Sequence, residues 1–176
     1  RDPVELSFLA SKKEKASALP PEWYQEIDGK RILRLLLCVG LNGTGKTKMI
    51  EALQYLRMLA VYKPEKPTDR PAFRPFLLDE QSRYEPSELS LTYYINNTCH
   101  YYYIKVSEKR IEEEILKQIS PNILLYHRFY NSETDTVSIK FGSDSDISKS
   151  TQQALKLTVI QNSSVLSVFG SLNLES

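Results

Sequence analysis

Residues 40–47, Gly40-Leu41-Asn42-Gly43-Thr44-Gly45-Lys46-Thr47, satisfy the spacing G-x-x-x-x-G-K-[ST] without a gap. The chemistry of that spacing is the cradling of phosphate. Glycine opens backbone conformations closed to other residues and lets the chain approach an anion closely. Successive backbone N–H groups then form a concave nest, and a helix that starts directly after it turns its N-terminus to the same point. In such a loop Lys46 reaches the outer phosphates of a nucleotide, and the Thr47 hydroxyl is the ligand offered to Mg²⁺. The chain has 6 glycines, and three of them, Gly40, Gly43 and Gly45, fall within this loop. A random chain of this length produces such a match roughly once in a hundred.

The flanking segments suit the loop. Residues 31–39 begin mixed and become continuously apolar, the pattern of a strand buried on both faces of a parallel sheet. Residues 46–62 place Met49, Ala52, Leu53, Leu56, Leu59 and Ala60 at helical spacing, which predicts an amphipathic helix ended by Pro64 and Pro67. Residues 4–9 read as a strand, and residues 11–21, closing on Pro20-Pro21, as a loop. Beyond a proline-rich connection over 63–75, the period changes to two. Leu89, Leu91, Tyr93 and Ile95 share a strand face, Asn96-Asn97 supplies a tight turn, and 99–106 returns. Residues 123–130 and 137–141 predict a second hairpin across 131–135, while 111–119 suits helix and strand about equally. Short helices are expected over 152–157 and 164–172.

The residues around the loop resemble a family. The asparagine third in the loop and the following Ile50-Glu51-Ala52-Leu53 are similar to ABC-class ATPase heads of the SMC, RecF and OLD-nuclease group. The likeness is closer to the AAA-type ATP-binding proteins of bacteria and archaea often found near phage-defence systems. Phe76-Leu77-Leu78-Asp79, residues 82–87, residues 124–129 and residues 165–173 resemble that branch's later blocks. The resemblance implies an α/β fold: a P-loop NTPase core, as in an ABC-type head lobe, with an antiparallel β-subdomain. It divides the chain into a core part (1–62), a linker and entry segment (63–88), the β-subdomain (89–145) and a helical segment (146–176). It implies ATP and Mg²⁺ as cofactors, bound by Gly40, Asn42, Gly43, Thr44, Gly45, Lys46, Thr47 and Lys48. Lys46 is the catalytic candidate, Thr47 the metal ligand, and a homodimer of heads sandwiching ATP the expected assembly.

Hydrolysis in this class needs an apolar strand ending in Asp-Glu. Phe76-Leu77-Leu78-Asp79-Glu80 is one candidate, but Pro75 precedes only three apolar residues and proline is poorly tolerated in a central strand. Leu166-Ser167-Val168-Phe169-Gly170 is faintly similar to an LSGGQ signature but lacks paired glycines, and reads as a packing segment. Gln81 could sense a γ-phosphate and reads better as a loop residue. With the signature helix and Asp-Glu strand unaccounted for, and no methionine at Arg1, the expectation is the N-terminal part of a longer ATPase.

Charge narrows the partners. The 23 Lys and Arg against 22 Asp and Glu leave a net charge of +1, so nucleic acid is possible but unsupported by charge. The longest apolar run, residues 35–39, is far too short to span a membrane. No basic, apolar leader opens the chain, and the expected setting is cytoplasmic. Two cysteines and two histidines make no convincing zinc site or disulfide framework. Cys38 reads as a buried apolar residue, His100 and His127 as strand residues, Glu112-Glu113-Glu114 as a solvated face, and Lys12, Lys13 and Lys15 as loop residues. The five tyrosines between Tyr93 and Tyr103 could stack bases, but without a basic excess they read as strand residues with wet tips. Three rival functions are weighed. A GTP switch would need Asn-Lys-x-Asp, which is absent. A small-molecule kinase would need an arginine-rich lid, of which no sign exists. A non-enzymatic interaction module with a structural nucleotide remains.

Overall fold

The computed structural model describes residues 4–10, 19–66, 68–71 and 85–173, the side chain of Asn173 excepted. Residues 76–80, Gln81, residues 82–84 and the lysines at 12, 13 and 15 lie outside the described residues. The chain forms two compact units, Arg1–Thr47 and Lys48–Ser176.

In the first unit, β1 (Tyr24–Ile27) and β2 (Lys30–Leu33) form an antiparallel hairpin. Its turn is Asp28-Gly29, both with positive φ (50° and 67°), the conformation a two-residue hairpin turn demands. On the other side of β2 the N-terminal segment adds a single antiparallel bridge, Leu9 to Ile32, with Leu33 N–H donating to Phe8 C=O at 2.7 Å. The expected buried strand over 31–39 is therefore corrected. Pairing ends at Leu33, and Leu35, Leu37 and Val39 are 77%, 82% and 84% exposed. A continuous apolar run becomes a buried strand only between neighbours that accept it, and among the described residues no parallel strand pairs with it. Cys38, expected buried, is exposed for the same reason.

α1 (Lys46–Val61) starts within the first unit and runs through the second. The second unit is mixed α/β. Its sheet is a five-stranded antiparallel meander: β3 (Ser87–Ile95), β4 (Thr98–Val106), β5 (Ile111–Gln118), β6 (Ile123–Asn131) and β7 (Thr136–Phe141), in sequence order. Both expected hairpins form. Asn96 and Asn97 take φ of 48° and 64°, and Asp135 takes 55°. The ambiguous 111–119 segment is a strand, held between β4 and β6 by pairing on both sides.

One face of this sheet carries the core. Alternation and register align Leu89, Ile104, Glu114, Arg128 and Ile139 in one row across the strands, and Leu91, Tyr102, Leu116, Tyr126 and Phe141 in the next. Leu56 and Leu59 of α1, Leu155 of α2 (Lys149–Thr158), and Val165 and Val168 of α3 (Val165–Asn173) join the same buried cluster. α1 thus buries only its C-terminal half, and Ile50 and Leu53 stay exposed. Val168 and Ser167, within the segment that faintly resembles a signature, are buried in α3, as the packing reading expects. No described helix is long and apolar enough to cross a membrane.

Candidate functional site

Residues 40–47 lie between the end of β2 and the first turn of α1. Gly43 and Gly45 have φ of 82° and 89°, in the left-handed region that favours glycine. Gly40 is constrained by space instead, because a Cβ there would lie 3.0 Å from Thr44 Oγ1 and 3.9 Å from Lys46 Nζ. The three glycines thus serve two different needs, and the loop bends without strain only with glycine at the second and third.

The Lys46 ammonium is folded into this bend. It donates to Gly40 C=O at 2.7 Å, to Leu41 C=O at 2.6 Å and to Thr44 Oγ1 at 3.3 Å. Thr44 Oγ1 in turn donates to Leu41 C=O at 2.8 Å, closing a small ring of polar groups over residues 40–46. Leu41, Asn42, Gly43, Thr44 and Thr47 are exposed, while Gly45 and Lys46 are half-buried. The Thr47 hydroxyl therefore lies open in the first turn of the helix. Lys48, one residue on, pairs with Glu51 Oε2 at 2.8 Å.

The donor set fits a phosphate chain. It consists of one cation held by carbonyls, the backbone of a glycine loop in which Thr44 N–H donates to Leu41 C=O at 3.4 Å, and a helix that opens at the loop. Among the described residues no cluster of three or more His, Cys, Asp or Glu side chains could hold a metal ion on its own. That composition is compatible with Mg²⁺ held chiefly by water and substrate phosphates, with one hydroxyl ligand. A cavity of about 80 Å³ beside Met58, Tyr62 and Arg70 is too small to take a nucleotide.

Two features of the second unit were not foreseen. Glu114, expected on a solvated face, has no exposed surface. Its Oε1 accepts from Tyr126 Oη (2.7 Å) and Tyr102 Oη (3.1 Å), and its Oε2 accepts from Val165 N–H (2.8 Å) at the start of α3. Burial pushes its carboxyl above the ordinary carboxylate range, against those hydrogen bonds and the charge of Arg128. Arg128, its cross-strand neighbour, is also fully buried, donating to Ile111 C=O, to Gln161 C=O at 2.8 Å and to Ile160 C=O at 3.2 Å. Desolvation lowers its guanidinium to about 10. The histidines are strand residues: His100 stacks on Tyr93 with ring centres 5.5 Å apart, and His127 Nε2 lies 2.8 Å from Glu113.

No family model, no curated protein and no solved structure matches the chain.

Proposed function

We propose that the chain is a nucleotide-binding lobe of an ABC- or SMC-like P-loop ATPase, taking ATP with Mg²⁺ at residues 40–47. The observation that carries the reading is the coincidence of an unbroken motif with its required backbone: left-handed Gly43 and Gly45, and Lys46 turned into the loop. Gly40, Asn42, Gly43, Thr44 and Gly45 line the phosphates with backbone N–H groups, Lys46 pairs with the outer phosphates, Thr47 offers its hydroxyl to Mg²⁺, and Lys48 flanks the site. ATP and Mg²⁺ supply the scissile phosphoanhydride and its charge neutralisation. The protein's part is to orient the chain of phosphates and hold Lys46 against it. Hydrolysis awaits an Asp-Glu strand and a signature segment supplied outside these residues, with two heads closing on ATP as a homodimer in a cytoplasmic protein; a role in phage defence follows from the resemblance alone.

Thermal unfolding with and without Mg-ATP tests the reading. A ligand at about 100 times its Kd adds roughly 2.7 kcal/mol, a shift of several degrees for a chain this size. Lys46→Ala should abolish most of that shift while leaving the ligand-free midpoint nearly unchanged. A folded protein with no shift at millimolar Mg-ATP contradicts the proposal, and an equal shift with Mg-GTP would favour the switch reading instead.

A further inference from the structure

The sheet of the second unit has a second face. Residues out of phase with the core point there, and none of the core helices' buried residues cluster with them. Of the five tyrosines between Tyr93 and Tyr103, the register separates Tyr93 and Tyr102 onto the core face from Tyr94, Tyr101 and Tyr103 on this one. Tyr103 and His127 occupy one row across the strands with Lys140 beside them at the β7 edge; Tyr101 and Lys117 occupy the next; and Phe129 stands in the row of Glu113. All six aromatic and lysine side chains are at least partly exposed.

Charge on this face is sorted. Of its two carboxylates among the described residues, Glu88 is paired with Lys105 at 3.0 Å and Glu113 shares a hydrogen bond with His127 Nε2 at 2.8 Å. Lys117 and Lys140 have no carboxylate within ion-pair distance among the described residues, and each lies over a ring. Lys117 Nζ is 5.1 Å from the Tyr101 centroid and Lys140 Nζ is 5.2 Å from that of Phe129. Each pair sets a mobile cation beside a flat π-face, and strand spacing places β5 and β7 about 10 Å apart. This is the chemistry that binds a chain of alternating anions and planar rings: phosphates go to the lysines and bases to the aromatics. A duplex keeps its bases stacked inside and offers nothing to those rings. An acidic peptide would use the lysines and leave the aromatics idle.

We infer that the open face of the β3–β7 sheet is a docking platform for single-stranded nucleic acid, with Tyr101, Tyr103 and Phe129 stacking bases and Lys117 and Lys140 holding phosphates. The inference does not rest on nucleotide binding at residues 40–47.

Fluorescence anisotropy with 5′-labelled dT₂₀, in low salt and EDTA and on a Lys46→Ala background, removes the phosphate loop from the experiment. Single-stranded dT₂₀ should bind more tightly than a labelled duplex of equal length. Stacking of about 1–3 kcal/mol per base means that Tyr101→Leu or Phe129→Leu should weaken binding by about tenfold. Lys117→Gln and Lys140→Gln should each flatten the log–log salt dependence by about 0.7. These lysine variants leave every core contact in place, so they keep the test decisive should an aromatic variant fail to fold. The inference is overturned if the folded protein does not bind dT₂₀. It is overturned equally if duplex or polyglutamate competes as well as dT₂₀, or if the lysine variants bind with an unchanged salt slope.

Discussion

A carboxylate without exposed surface must be compensated on every side, and Glu114 takes two tyrosine hydroxyls, the first N–H of α3 and the nearby charge of Arg128 to do it. It thereby ties β5 to β4, β6 and α3 through one side chain. Glu114→Ala strips that tie and leaves Arg128 buried without its counter-charge, which should cost about 3 kcal/mol in urea unfolding. Glu114→Gln keeps the shape and should cost less. The two also separate by pH. Because burial raises the folded-state carboxyl above its ordinary value of 4.5, the folded protein binds the proton more tightly than the unfolded chain. That contribution is fully present below about pH 4.5 and is lost as pH rises through the folded pKa. The stability of the wild type relative to Glu114→Gln should therefore fall as pH is raised from 4 to 8, and parallel urea midpoints across that range would contradict it. In the sequence, three consecutive glutamates look like a wet surface. Only the strand's period of two, fixed by neighbours far along the chain, turns Glu113 outward and Glu114 inward.

At the scale of elements, the hairpins were legible because their signals are local. Alternating apolar residues and Asn-Asn fix β3 and β4 within 20 residues, and the turn takes the two positive φ angles that asparagine tolerates. Asn97→Ile, forced into that conformation, should cost about 1–2 kcal/mol, whereas Asn97→Gly should hold or raise the thermal midpoint. A second close fit lies at Gly142, where a Cβ would clash with Leu124 C=O. Gly142→Ala must displace backbone and should cost about 1–3 kcal/mol, readable as a lower urea midpoint with the β3–β4 turn unchanged. Asp28-Gly29 is a strong turn pair, but in the sequence Arg31 to Leu33 merge into the apolar run that follows, which hides β2. β5 was undecidable from its own residues; its partners on both sides make it a strand. Over 35–39 the apolar run signals burial, but burial is a property of neighbours, and the described residues supply none.

At the scale of the molecule, the chain forms two compact units. The first ends in the glycine loop, and the second is a sheet with a packed face and an open one. The loop was the most legible feature of the chain, since its spacing, its glycine conformations and its lysine all belong to eight consecutive residues. The parallel core that such a loop usually follows was not recovered. Strand order depends on contacts between distant segments, and those described are antiparallel throughout. The proposed nucleotide binding can be measured directly. Equilibrium titration of the intact protein with a fluorescent ATP analogue, in Mg²⁺ and then in EDTA, is the decisive measurement. Saturable binding that weakens in EDTA, is displaced by unlabelled ATP and is lost in Lys46→Ala is the predicted result. Absence of saturable binding to the folded protein, or binding unchanged by Lys46→Ala, would contradict the account.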